Sequence, residues 1–71
     1  MWLELNTYSP SNNSVPIMVN FNKVTDFYTK TFKDINTIGT RIDFNDEEYL
    51  DVVEDYKNIK RWMFLETKTE I

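Results

Sequence analysis

Residues 40–63 read TRIDFNDEEYLDVVEDYKNIKRWM, and this stretch decides the fold. Ile42 and Phe44 share one side of an extended chain. Leu50 and Val52 do the same a few residues on, with Tyr49, Asp51 and Val53 opposite. Alternation with period two marks a half-buried strand. The polar Asn45, Asp46, Glu47 and Glu48 between the two runs supply a turn. Residues 40–44 and 49–54 are therefore read as a hairpin. Asp55 follows as an N-cap, because its carboxylate can accept a backbone N–H of the next turn. Tyr56, Ile59 and Met63, with Trp62 beside them, then fall on one helical face, and Lys57, Lys60 and Arg61 lie away from it.

Upstream, the same alternation recurs. In residues 2–8, Leu3, Leu5 and Thr7 oppose Trp2, Glu4, Asn6 and Tyr8. In residues 15–21, Val15, Ile17, Val19 and Phe21 oppose Pro16, Met18 and Asn20. Pro16 has no N–H to give a ladder, so it belongs at a strand's start or on an edge. Residues 24–31 are rich in β-branched and aromatic side chains, which suits a third strand. Residues 9–14 are a loop by composition, and residues 32–39, which hold the only glycine, Gly39, are read as irregular with a turn at 33–36. The helix carries no stop signal. Residues 64–71 alternate as a strand would, with Leu65, Thr67, Thr69 and Ile71 on one side. An extra C-terminal strand, a disordered tail, and a continued helix that shows Phe64 and Leu65 to a partner all remain open at this point. The expectation is one mainly β domain over residues 1–71: a small five-stranded antiparallel sheet or SH3-like open barrel with one short C-terminal helix.

The order strand, loop, strand ending in Val19-Asn20, a third strand opened by Val24, a hairpin over 40–53, then Glu54-Asp55-Tyr56 leading into a helix with Ile59 resembles the small flagellar FlbD-like proteins. It also looks like short SH3-like β proteins of phage and low-GC bacterial genomes. The resemblance covers roughly residues 2–63 and rests on hydrophobic spacing and turn residues. It implies a small twisted sheet or open barrel with a C-terminal helix, and it brings no catalytic residues.

With 71 residues the chain buries only about 60% of the surface that its unfolded state exposes. A core of that size supplies no more than ~3–5 kcal/mol. Disulfides, a metal or oligomerisation commonly add to it. Cys and His are both absent, which excludes disulfides and a Cys/His zinc site. Self-association is the device that remains, so a homo-oligomer is expected. Trp2, Tyr49, Trp62, Phe64 and Leu65 are the candidate contact residues, since the aromatics exceed what one small core needs and aromatic side chains are enriched at interfaces.

The net charge of −4 opposes a phosphate backbone and an anionic membrane alike. No apolar run is long enough for a membrane span. Met1-Trp2-Leu3-Glu4 lacks the basic start of a secretory signal. A cytoplasmic location is expected, with nucleic acid disfavoured and no membrane partner. The absence of Ala and the wealth of Asn, Lys, Asp and Ile suggest an AT-rich genome, such as that of a low-GC bacterium or its phage.

Asp43, Asp46, Glu47, Glu48, Asp51, Glu54 and Asp55 form an acidic block unbroken by Lys or Arg. Such charge discourages edge-to-edge pairing of strands. It also makes an electrostatic surface for a basic protein partner, for which Asp43, Asp46, Glu47, Glu48, Asp51 and Glu54 are the candidate residues. The block matches the acidic positions of a calcium loop, but Glu48 stands where that loop requires Gly, so no metal is assigned. With no His or Cys, and with Ser9, Ser11 and Ser14 lacking a nearby base, no catalytic residue is assigned. The chain is expected to be no enzyme and to use no cofactor. The function expected is a self-associating, non-catalytic protein-interaction module, one instance being a phage-borne inhibitor of a host factor. The alternatives are a nucleic-acid-binding regulator that uses Lys57, Lys60 and Arg61, and an oligomer that sequesters a nucleotide-like ligand between subunits.

Overall fold

The alternating runs are strands in the computed structural model, which describes residues 1–9, 13–33, 37–45 and 47–69, the last four of them by backbone alone. In chain order the elements are β1 (Trp2–Asn6), β2 (Pro16–Asn20), a 3-10 turn (Phe21–Lys23), β3 (Val24–Phe32), β4 (Thr37–Phe44), β5 (Tyr49–Val52) and α1 (Tyr56–Thr69). They form two antiparallel sheets, β1–β2 and β3–β4–β5. The assembly is open and does not close into a barrel. The single five-stranded sheet expected from sequence is divided because β2 and β3 do not pair. The 3-10 turn between them redirects the chain, with the Asn20 side chain accepting the Asn22 N–H at 3.1 Å.

A short seam joins the sheets where β1 runs out. Thr7 bridges to Val52, Tyr8 N–H donates to the Asp51 carbonyl at 2.9 Å, and Val53 N–H donates to the Asn6 carbonyl at 3.0 Å. Leu5 and Val19 from the first sheet, Ile42 and Val52 from the second, Phe21 from the 3-10 turn and Ile59 from α1 make one core. Leu3, Phe44 and Leu50 face it as the alternation requires and are partly buried. Val15 and Ile17, expected inward with Val19, are exposed. Val15 precedes β2 and Ile17 lies near its start, on a strand that has only β1 beside it in its sheet.

One segment departs from the sequence reading, and another is decided among open alternatives. Gly39 is not in an irregular stretch: it lies inside β4 opposite Lys30, and it is buried. Of the three outcomes left open for the segment from residue 64, the continued helix is the one found: α1 runs through Thr69. The residues there keep helical backbone although Phe64 and Leu65 face outward at 66% and 51% exposure. Residues 70 and 71, with the expected turn at 34–36, Asp46 and residues 10–12, lie outside the described set.

The helix begins where Asp55 predicts. Its carboxylate accepts the Lys57 N–H at 2.7 Å, and its carbonyl accepts the N–H groups of Asn58 and Ile59 at 3.1 Å. The β4–β5 turn is closed by Phe44 N–H on the Glu48 carbonyl at 2.9 Å, with Glu47 held at a φ of 70°. That left-handed position suits Gly and is unfavourable for other L-residues by roughly 1–2 kcal/mol. Replacing Glu47 by Gly is therefore expected to stabilise the protein by about 0.5–1 kcal/mol, since Gly's own entropy offsets part of the gain. Urea unfolding measures it, and a loss of stability would contradict this turn geometry.

Candidate interaction surfaces

The acidic block is dispersed by the fold. Asp51 faces outward on β5 opposite Arg41 of β4. The guanidinium grips it in bidentate fashion, Nε to Oδ1 at 2.8 Å and Nη2 to Oδ2 at 3.0 Å. Such paired bonds are stronger and more directional than a single ionic contact. The bond to Asp51 pushes the Arg41 pKa further above its ordinary value. The same guanidinium lies 4.1 Å from the centre of the Tyr49 ring, within cation–π range.

Glu54 has turned to the first sheet. Its carboxylate accepts the Asn6 N–H on both oxygens, at 2.9 and 3.0 Å, and the Asn6 side-chain amide at 2.8 Å. It continues the seam between β1 and β5 after main-chain pairing has ended. Its own carbonyl accepts the hydroxyl of the buried Thr40 at 2.8 Å. Asp55 is the helix cap. Of the residues read as one acidic surface, Asp51 and Glu54 are thus engaged within the chain, and Asp46 lies outside the described residues. Glu47 and Glu48 remain exposed at the hairpin end, with Asp43 half-buried beside them. On the outer face of β3, Tyr28 has its pKa raised by desolvation and then by the neighbouring Asp43 carboxylate. Among the described residues no cluster of carboxylates is placed to hold a metal ion.

The residues read as self-association contacts fall in three places. Trp2 stands on the outer face of β1, 59% exposed. Tyr49 opens β5. Trp62, Phe64 and Leu65 are on α1. A shallow hollow of roughly 370 Å³ on the helix is lined by Tyr56, Lys57, Lys60, Arg61 and Phe64, which places the predicted basic residues around apolar surface. Among the described residues no helix is long and apolar enough to cross a membrane.

Sequence reading missed a fourth surface. A cleft of roughly 300 Å³ opens between β2 and the β4–β5 hairpin, mostly apolar, lined among others by Ile17, Met18, Val19, Phe44, Tyr49 and Leu50. Lys23 and Glu48 also line it and are the charged residues among its described lining. Met18 is 52% exposed there and Tyr49 58%. The signal in the sequence was Pro16, which suits a strand's start or an edge and is the first residue of β2; nothing in the sequence placed β2 beside Tyr49 and Leu50. No protein-family model, curated protein or solved structure matches this chain.

Proposed function

We propose that this chain is a non-catalytic protein-interaction module that associates with copies of itself and offers its acidic hairpin end to a basic protein. The observation that supports the reading is the imbalance of apolar side chains. Among the described residues ten large hydrophobic side chains are exposed, against seven in the core. A scaffold of this size has about 3–5 kcal/mol to lose, and covering such surface between molecules adds to stability by mass action. Glu47 and Glu48, which form no ion pair among the described residues, supply complementary charge for the second partner. An inhibitor carried by a phage or mobile element, seated on a basic surface of a host protein, is one instance of such a module.

Sedimentation velocity of the full chain over a dilution series tests this. The expected result is a mass that rises with concentration above that of one chain. A single-chain mass throughout overturns the reading. The basic residues around the hollow on α1 favour a second reading, a nucleic-acid-binding regulator. Salt-sensitive binding of a DNA or RNA fragment, lost in a Lys57, Lys60 and Arg61 triple-alanine variant, would select it.

A further inference from the structure

We infer that the contact between copies is made by the open edge of β2, pairing antiparallel with β2 of a second copy about a two-fold axis at Met18. This rests on the self-association proposed above and names its surface.

The ladder between β1 and β2 fixes which backbone groups of β2 are free. Phe21 N–H donates to the Met1 carbonyl at 2.8 Å, and Thr7 N–H donates to the Val15 carbonyl at 2.9 Å. Between these ends the register runs Leu3 to Val19 and Leu5 to Ile17. Bonded and non-bonded pairs alternate in an antiparallel ladder. Val15, Ile17, Val19 and Phe21 therefore turn their backbone groups toward β1, and Pro16, Met18 and Asn20 turn theirs outward. No described residue bonds to the outward groups of Pro16 and Met18.

That edge is complementary to itself in one register. With Met18 opposite Met18 of the second copy, the two residues exchange N–H and carbonyl groups. On either flank the Asn20 N–H reaches the Pro16 carbonyl of the other copy. The N–H that Pro16 lacks would have faced the Asn20 carbonyl, and that carbonyl already opens the 3-10 turn. Pro16 thus leaves no acceptor unmet in this register; a shift that sets Met18 opposite Pro16 meets the missing donor, and one that sets Met18 opposite Asn20 aims the Met18 N–H at the occupied carbonyl. The pairing also carries Ile17 and Tyr49, both exposed and both on the cleft, to the seam between copies. β2 itself has no charged residue, so the net charge does not act at the axis.

The other long open edge, that of β3, is a poorer candidate. A bulge between Val24 and Asp26 disturbs it, and Asp26 and Lys30 put charge on it. Both devices blunt an edge against pairing.

Met18→Pro tests the inference, because it deletes an outward N–H and leaves every β1–β2 bond in place. Sedimentation of the full chain is expected to show association weakened about tenfold or more, with the far-ultraviolet circular dichroism unchanged. Met18→Lys, which sets like charges together at the axis without altering the backbone, gives the same result if Met18→Pro fails to fold. Thr29→Lys on the β3 edge is expected to leave association as it was. In the unaltered chain, hydrogen exchange at the Met18 and Asn20 amides slows as concentration rises. If the chain associates but both Met18 variants associate equally well, the edge is wrong and self-association stands. If the unaltered chain never associates, the functional reading fails with it.

Discussion

Replacing Ile59 by Ala is expected to unfold most of the protein at 25 °C. Ile59 is fully buried, and among the described residues it is the one helix residue in the core cluster, against Leu5 and Val19 of one sheet and Ile42 and Val52 of the other. Cutting an Ile to Ala inside a packed core removes about 2–5 kcal/mol, the larger values where the surroundings cannot collapse into the space. Here they cannot collapse freely, because each sheet is already fixed by its ladder and by the seam at Thr7 and Val52. A scaffold of this size holds only about 3–5 kcal/mol in all. Lys60→Ala, on the exposed side of the same helix, is the matched control and should stay within about 0.5 kcal/mol. Urea unfolding followed by circular dichroism separates the two. A loss below about 1 kcal/mol for Ile59→Ala would mean that the helix is not docked on the sheets.

Gly39→Ala is expected to remove about 1–3 kcal/mol, because one added carbon overfills a closed site. A Cβ at Gly39 would lie 2.5 Å from a ring carbon of Phe32 and closer still to the Val52 carbonyl oxygen. The ring cannot swing aside easily, since Phe32 is 4% exposed and stacks on Tyr8 with ring centres 3.9 Å apart. The carbonyl belongs to the β5 backbone and cannot move without disturbing the ladder to β4. A domain of this length loses roughly 4–8 °C of Tm per kcal/mol, so thermal melting reads the effect directly. Phe32→Leu in the Gly39→Ala background should recover part of the loss, because the ring is one of the two obstacles. Complete recovery, or no loss from Gly39→Ala at all, would contradict the close approach of β4 to Val52.

Much of the fold was written in local patterns. Leu3 and Leu5, Ile42, Leu50 and Val52 announced their strands and their inward side by alternation alone. Asp55 announced the start of the helix by the chemistry of capping. Gly39 could not be read this way. Its meaning lies in Phe32 and Val52, so a lone glycine in sequence looked like a break in structure. Phe64 and Leu65 left strand and helix both open for a related reason. Their alternation with the residues after them imitates a strand, while helical backbone bonds extend α1 through Thr69.

The candidate surfaces were less legible still. Seven acidic residues between positions 43 and 55 look like one surface in sequence. The strand register sets Asp51 across from Arg41, and the seam between the sheets brings Glu54 to Asn6, 48 residues away. Charge type is local, but the partner of a charge is a matter of tertiary contact. The β2 edge shows the same division. Pro16 marked a strand's start or an edge, and the ladder phase that turns Met18 outward follows only from where β1 lies.

By itself, the sequence determined the mainly β character, the positions of the strands, the helix cap and the thin, acidic, cysteine-free nature of this domain, because each depends on residues near one another along the chain. Tertiary structure alone decided that the strands divide into two sheets, that Asp51 and Glu54 serve the fold, and that β2 is left open beside an apolar cleft. Those outcomes depend on pairings between distant segments, and side-chain periodicity carries no record of which strand lies beside which.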